Sequence, residues 1–92
     1  MASILTKIQR KVNRDEFDFL SHALKELDAE NFSLVEAEKV ILKPLRFFEF
    51  TDDESHVRYA FDGEAENGRM LRVIVFLSQG RVKIKTGYEI FD

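Results

Sequence analysis

Arg81, Lys83 and Lys85 occupy every second position of RVKIKTGY (81–88), with Val82, Ile84 and Thr86 between them. Side chains of a strand alternate faces, so this stretch puts three cations on one face and an apolar row on the other. Such a face suits an anionic chain such as RNA. The plain alternative is the solvated side of an edge strand, where Lys and Arg also discourage edge-to-edge aggregation. His22 is the candidate acid–base group, because an unperturbed imidazole titrates at about 6.5. It reads equally as a helix-start histidine bonded to backbone. Tyr88, with an unperturbed pKa of about 10, needs nearby cations such as Lys83 or Lys85 to serve as an acid. Strict alternation puts Tyr88 on the apolar side with Ile84; only a bulge at Gly87 turns it to the basic face. His56 reads as solvated.

Other chemistries find little here. The chain has no Cys, so it has neither a disulfide framework nor a thiolate nucleophile, and a reducing, cytoplasmic setting fits. It has no phosphate-cradling glycine loop and no Ser/His/Asp constellation. The acidic loops TDDESH (51–56) and DGEAENG (62–68) lack the ligand spacing of a calcium loop and read as solvated turns. The longest wholly apolar run, Val73 to Leu77, is far short of the roughly 20 residues of a membrane helix. The N-terminus has cations but no apolar signal-peptide core.

The formal net charge of −3 hides a strong pattern. Residues 1–14 carry four cations and no carboxylate, and residues 15–38 carry eight carboxylates against one cation. Residues 39–50 sum to +2, residues 51–68 to −5 and residues 69–92 to +3. A uniformly basic nucleic-acid binder is excluded; a molecule with separate positive and negative faces is not.

The elements that must position these groups follow from periodicity. Ile4, Leu5, Ile8 and Val12 share one stripe of a short amphipathic helix, suited to packing on a sheet. Phe17, Leu20, Leu24 and Leu27 share another, which predicts a helix over about 18–30, capped by Asn13 or Asp15 for an early start or Ser21 for a late one. Ser33 and Glu36 form a capping box, Phe32 can staple against Ala37, and Pro44 ends the third helix. Beyond Pro44 the period changes. Residues 45–50, 56–62, 70–78 and 81–90 read as strands, punctuated by Gly63, Asn67-Gly68 and Gly80. The short links imply antiparallel neighbours. The expected fold is a single α+β domain over 1–92: two or three N-terminal helices followed by a four-stranded antiparallel sheet.

SHALKELDAENFS (21–33), RYAFDGEAENGRMLRVIV (58–75) and IKTGYE (84–89) together resemble a widespread bacterial family of domains of unknown function with a Ser-(x)-His-Ala motif. The strand portion is also similar to BrnT toxins and, through them, to the RelE-like fold of toxin–antitoxin ribonucleases. The resemblance covers most of the chain and rests on the order of several weak motifs. It implies a metal-independent RNase scaffold whose sheet holds RNA, with His22, Arg58, Tyr59, Arg69, Thr86 and Tyr88 at matching positions. Glu26 and Glu30 stand where the family helix tends to carry Arg.

Cleaving RNA without a metal needs a base near the 2′-hydroxyl, an acid near the leaving oxygen and cations on the phosphate. The expected catalytic residues are His22, Arg58, Lys83 and Tyr88, and the expected RNA-binding residues are Arg69, Arg72, Arg81 and Lys85. No cofactor, metal or membrane contact is expected. RNA, an antitoxin and a second copy of the chain are the expected partners. The alternative is a non-catalytic protein-interaction or regulatory module of the same fold, which Glu26 and Glu30 favour.

Overall fold

Ser3 opens the first helix: its hydroxyl accepts from the Thr6 amide at 3.1 Å, satisfying a donor that the first turn leaves free. A computed structural model describes residues 3–91 of the chain. Helix α1 (Ile4–Asn13) buries Ile8 and Val12 and packs Ile4 and Leu5 against the same core. Asp15, with φ 59°, then turns the chain back.

The next segment departs from the expected helix over 18–30. Phe17–Phe19 is a short strand, β1, and helix α2 covers only Ser21–Ala29, with Leu20 at its cap position. The stripe of Phe17, Leu20, Leu24 and Leu27 fits a helix, but Phe17 and Phe19 also fit a period of two. Pairing with the last strand decides between them. The amide of Val82 donates to Glu16 O and that of Leu20 to Ile84 O, each at 3.0 Å, clamping β1 at both ends. Both Phe rings pack against the core, 5.9 Å apart edge to face, and Asp18 is sent to the other side.

Helix α3 (Leu34–Leu42) has the expected capping box. Ser33 Oγ accepts from Glu36 N at 3.0 Å, and Glu36 Oε1 accepts from Ser33 N at 2.8 Å. The second carboxylate oxygen of Glu36 accepts from Glu66 N at 2.8 Å, tying the helix start to the β3–β4 turn. These bonds, led by that from Ser33 N, hold the Glu36 pKa below the ordinary glutamate value.

The remaining strands are β2 (Arg46–Thr51), β3 (Val57–Glu64), β4 (Met70–Ser78) and β5 (Arg81–Ile90). The sheet order is β1-β5-β4-β3-β2. The expected four-stranded antiparallel sheet is thus a five-stranded mixed one, because β1 adds a parallel edge beside β5. Its two edges are unlike: β1 has three residues and β2 has six. The fold is α+β, with three α-helices on one face of the sheet.

The core lies between the layers. Ile8, Leu27, Val40 and Ile41 of the helices meet Phe61, Leu71, Val73, Val75, Val82 and Ile84 of the sheet, and all are essentially inaccessible. Each such side chain contributes roughly 1.5–3 kcal/mol. Two glycines let the layers approach: a Cβ on Gly63 would lie 3.2 Å from Val40, and one on Gly87 only 2.8 Å from Leu27 Cδ2. Among the described residues, no helix is long and apolar enough to cross a membrane.

The β4–β5 ladder is interrupted. Ile84 faces Val75 and Thr86 faces Ile74, so Lys85 is an extra residue in a bulge. Gly87 then faces the core beneath Leu27, and Tyr88 falls opposite Arg72 on the other side of the sheet.

Candidate functional site

The sheet face away from the helices carries no helix among the described residues, and cross-strand register sorts its side chains into rows. One row runs Arg46, Asp62, Arg72, Tyr88 across β2 to β5. The next is small and apolar: Phe48, Ala60 and Ile74. In a third, Phe50 lies opposite Arg58, Arg58 stacks on Phe76, Phe76 lies opposite Lys83, and Lys83 lies beside Asp18. The strand patterns that build these rows are plain alternations, except in β5, where the bulge resets the phase.

The rows border shallow clefts that share lining residues. One of about 270 Å³ is lined by Phe48, Phe50, Ala60, Arg72, Ile74 and Tyr88. A second of about 160 Å³ shares Phe50 and Ile74 and adds Asp52, Arg58, Lys85 and Thr86. A third, of about 450 Å³, lies at the strand ends, lined by Arg58 and Phe76 with Ser55, His56, Val57, Leu77 and Ser78. The result is a groove with aromatic walls and guanidinium groups along its length.

Most of the cations are answered by carboxylates. Arg81 grips both oxygens of Asp18, at 2.9 and 3.0 Å, and Lys83 Nζ lies 2.6 Å from the same group. Those two bonds, Arg81 first, hold the Asp18 pKa well below the ordinary range. Arg58 Nε bonds Asp52 at 3.2 Å, and its guanidinium sits 4.5 Å over the Phe76 ring. Asp52 also accepts backbone bonds from His56 and Glu54, and the former leads in lowering its pKa. Lys85, the bulge residue, is paired with no carboxylate among the described residues.

Asp62 is the exception to a solvated face, since its side chain is 0% exposed. Arg72 Nε and Nη2 bond its two oxygens at 2.7 and 2.9 Å, and Arg46 Nε and Nη2 reach Oδ2 at 2.7 and 2.6 Å. Burial works to raise the carboxyl pKa, but the hydrogen bonds from Arg72 and Arg46 outweigh it, and the pKa is lowered. The bond to Asp62, and after it Tyr88, raises the Arg72 pKa.

Of the expected catalytic residues, the structure gathers Arg58, Lys83 and Tyr88 on this face and leaves His22 out. His22 lies on α2, in the helix layer, exposed, with Nε2 3.0 Å from Glu26. Glu26 also accepts from the Thr86 hydroxyl. The imidazole that does stand beside Arg58 belongs to His56, whose Nδ1 is 3.4 Å from the guanidinium. Of the expected RNA-binding residues, Arg72, Arg81 and Lys85 share the face and Arg69 does not. Arg69 is bonded to Glu89 at 2.8 Å and to Glu30 O at 2.8 Å, and stacks 4.0 Å over Phe32. It follows the turn before β4, ahead of the alternation that sends Arg72 outward.

Sequence reading missed Arg46, Phe48, Phe50 and Asp62. A signal was there: Arg46, Phe48 and Phe50 alternate in RFFEFT, on a strand that directly follows a helix stop. No metal-holding group of three or more His, Asp or Glu side chains occurs among the described residues. Compared with known protein families, curated proteins and solved structures, the chain finds no match in any of the three.

Proposed function

We propose that the open sheet face binds single-stranded RNA, and that the chain is a cytoplasmic toxin-type domain of RelE/BrnT kind, neutralised when an antitoxin covers this face. The observation that carries the reading is the interleaving on an uncovered sheet of Phe48, Phe50, Phe76 and Tyr88 with Arg46, Arg58, Arg72, Lys83 and Lys85. Cations along a groove attract the phosphate chain, and aromatic rings stack unpaired bases, whichever the sequence. Among the described residues, Arg46, Arg58, Arg72, Arg81, Lys83 and Lys85 stand on this face with Asp18, Asp52 and Asp62 as their carboxylate neighbours.

The geometry favours binding over cleavage by the expected quartet, because His22 lies in the helix layer. An acid–base group acting on RNA in this groove is better sought in His56, beside Arg58.

The test is a titration with labelled single-stranded RNA at low and moderate salt, scoring affinity and cleavage together. Affinity that falls steeply as salt rises supports phosphate contact. No binding at low salt would overturn the reading.

A second reading, a non-catalytic protein-interaction module, is favoured by the pairing of Arg58, Arg81 and Lys83 with this chain's own carboxylates. It expects a specific protein partner or a stable homo-oligomer, with no salt-dependent RNA affinity.

A further inference from the structure

A carboxylate with no solvent exposure on the outward side of a sheet is costly, because two or three apolar side chains would cover that surface without desolvating a charge. Asp62 nevertheless sits there. Its neighbours in register on both sides are arginines, Arg46 on β2 and Arg72 on β4. Each guanidinium has five N–H donors and spends its Nε and one Nη on Asp62; Arg72 shares a further donor with Tyr88, and the others remain free. Arg72 is further placed by Phe48, 5.1 Å from its guanidinium, and by Tyr88 opposite it. Three charged groups thus form one row, with the negative one beneath and two fixed positive forks above.

We infer that Arg46 and Arg72, held by Asp62, form a subsite for one phosphodiester group of the bound strand, with Phe48 and Tyr88 as the stacking walls for the adjoining base. This rests on the RNA reading given above. The reasons for it are the chemistry of the fork and its preorganisation. Two N–H groups in a plane match two phosphate oxygens, and a guanidinium already fixed loses little rotamer freedom when the anion arrives. Asp62 is a positioning residue here. It touches no ligand, and it reduces the local charge it organises. Arg46 keeps its side chain 56% exposed, so its remaining donors are open to a ligand.

That opposition gives the test its sign. Asp62→Asn makes the row more positive by one charge. If the arginines act only through net charge, the variant binds single-stranded RNA more tightly. If Asp62 positions them, it binds several-fold more weakly. In parallel, the slope of log affinity against log salt is measured for Arg46→Gln, Arg72→Gln and Arg69→Gln. Each phosphate contact on a single strand contributes about 0.7 to the slope. Arg46→Gln and Arg72→Gln should each lower it by about that amount, and Arg69→Gln, on the far side, should leave it unchanged. Arg46 is exposed enough that its variant keeps the fold, as a thermal melt would check. Tighter binding by Asp62→Asn, or unchanged slopes for both arginine variants while the wild type binds, would overturn the subsite and leave the face intact. Failure of the wild type to bind at low salt would overturn the RNA reading itself.

Discussion

Tyr88 stands opposite Arg72 on the open face because Lys85 is an extra residue in its strand. Were Lys85 taken into the ladder as a regular pair, Tyr88 would face Leu71 and the core. Keeping Lys85 out of the ladder therefore decides whether the groove has an aromatic wall at this end. Deleting Lys85 should leave Thr86 opposite Ile74 and Tyr88 opposite Arg72, since the ladder already skips position 85. The expected outcome is a folded protein with the Tyr88 ring still among Phe48 and Ile74. Loss of cooperative unfolding in the deletion variant would show that the bulge is needed for folding itself.

Gly87 lies where a Cβ would come within 2.8 Å of Leu27 Cδ2 and 3.3 Å of Leu27 Cγ. Leu27 is fully buried and has little room to retreat. Gly87→Ala should destabilise by roughly 1–3 kcal/mol, the usual cost of overpacking. In the Leu27→Ala background the same change should cost clearly less, by a double-mutant cycle in denaturant. Additive costs would place the strain elsewhere.

Arg72→Ala leaves the Asp62 carboxylate buried with one partner and should cost roughly 3 kcal/mol, as expected when a buried pair is broken from one side. Arg46→Ala should cost less, because Arg72 still reaches both oxygens of Asp62. Chemical denaturation at neutral pH reads both.

Acid should act through the same carboxyl. Asp62, Asp18, Asp52 and Glu36 all have pKa values lowered in the folded chain. A group lowered in this way binds protons more weakly folded than unfolded. Its contribution is complete above the unfolded value of about 4 and is lost as pH falls toward the folded one. Stability should be flat from neutrality down to about pH 5 and decline below pH 4. Asp62→Asn should be less stable than the wild type at pH 7, with the gap narrowing below pH 4. A gap of constant size across that range would mean that the charge of Asp62 contributes nothing.

His22→Ala should leave RNA affinity and any cleavage at the wild-type level, since His22 lies in the helix layer. Arg58→Glu and Lys83→Glu together should abolish binding and any growth inhibition on expression. A fully active double variant would remove the open face from consideration.

The parts of this fold that depend on neighbours in sequence were legible in it. Ser33 and Glu36 announce a helix start on their own, because each bonds the other's backbone. The alternation in the last strand foretold that Arg81, Lys83 and Lys85 share a face. Other features depend on distant partners and were not legible. Phe17–Phe19 is a strand only because Val82 and Ile84 lie beside it. Asp18 neutralises Lys83 across 65 positions of chain, a pairing that no local pattern contains. The bulge is a property of the β4–β5 register, so strict counting from Ile84 put Tyr88 on the wrong side. His22 was singled out for its chemistry alone, and chemistry does not say which layer a helix start will join.

The unlike edges of the sheet limit how the molecule can grow. A free strand border is a template for another chain, and its reach depends on how many residues it offers. Here one border, β1, offers three residues, and the other, β2, offers six, with aromatic side chains at Phe47, Phe48 and Phe50. Only β2 is long enough to recruit a strand. If it pairs with β2 of a second molecule, the long border of each is used up and only the short ones remain. Strand-to-strand association then closes at two copies instead of propagating into a fibre.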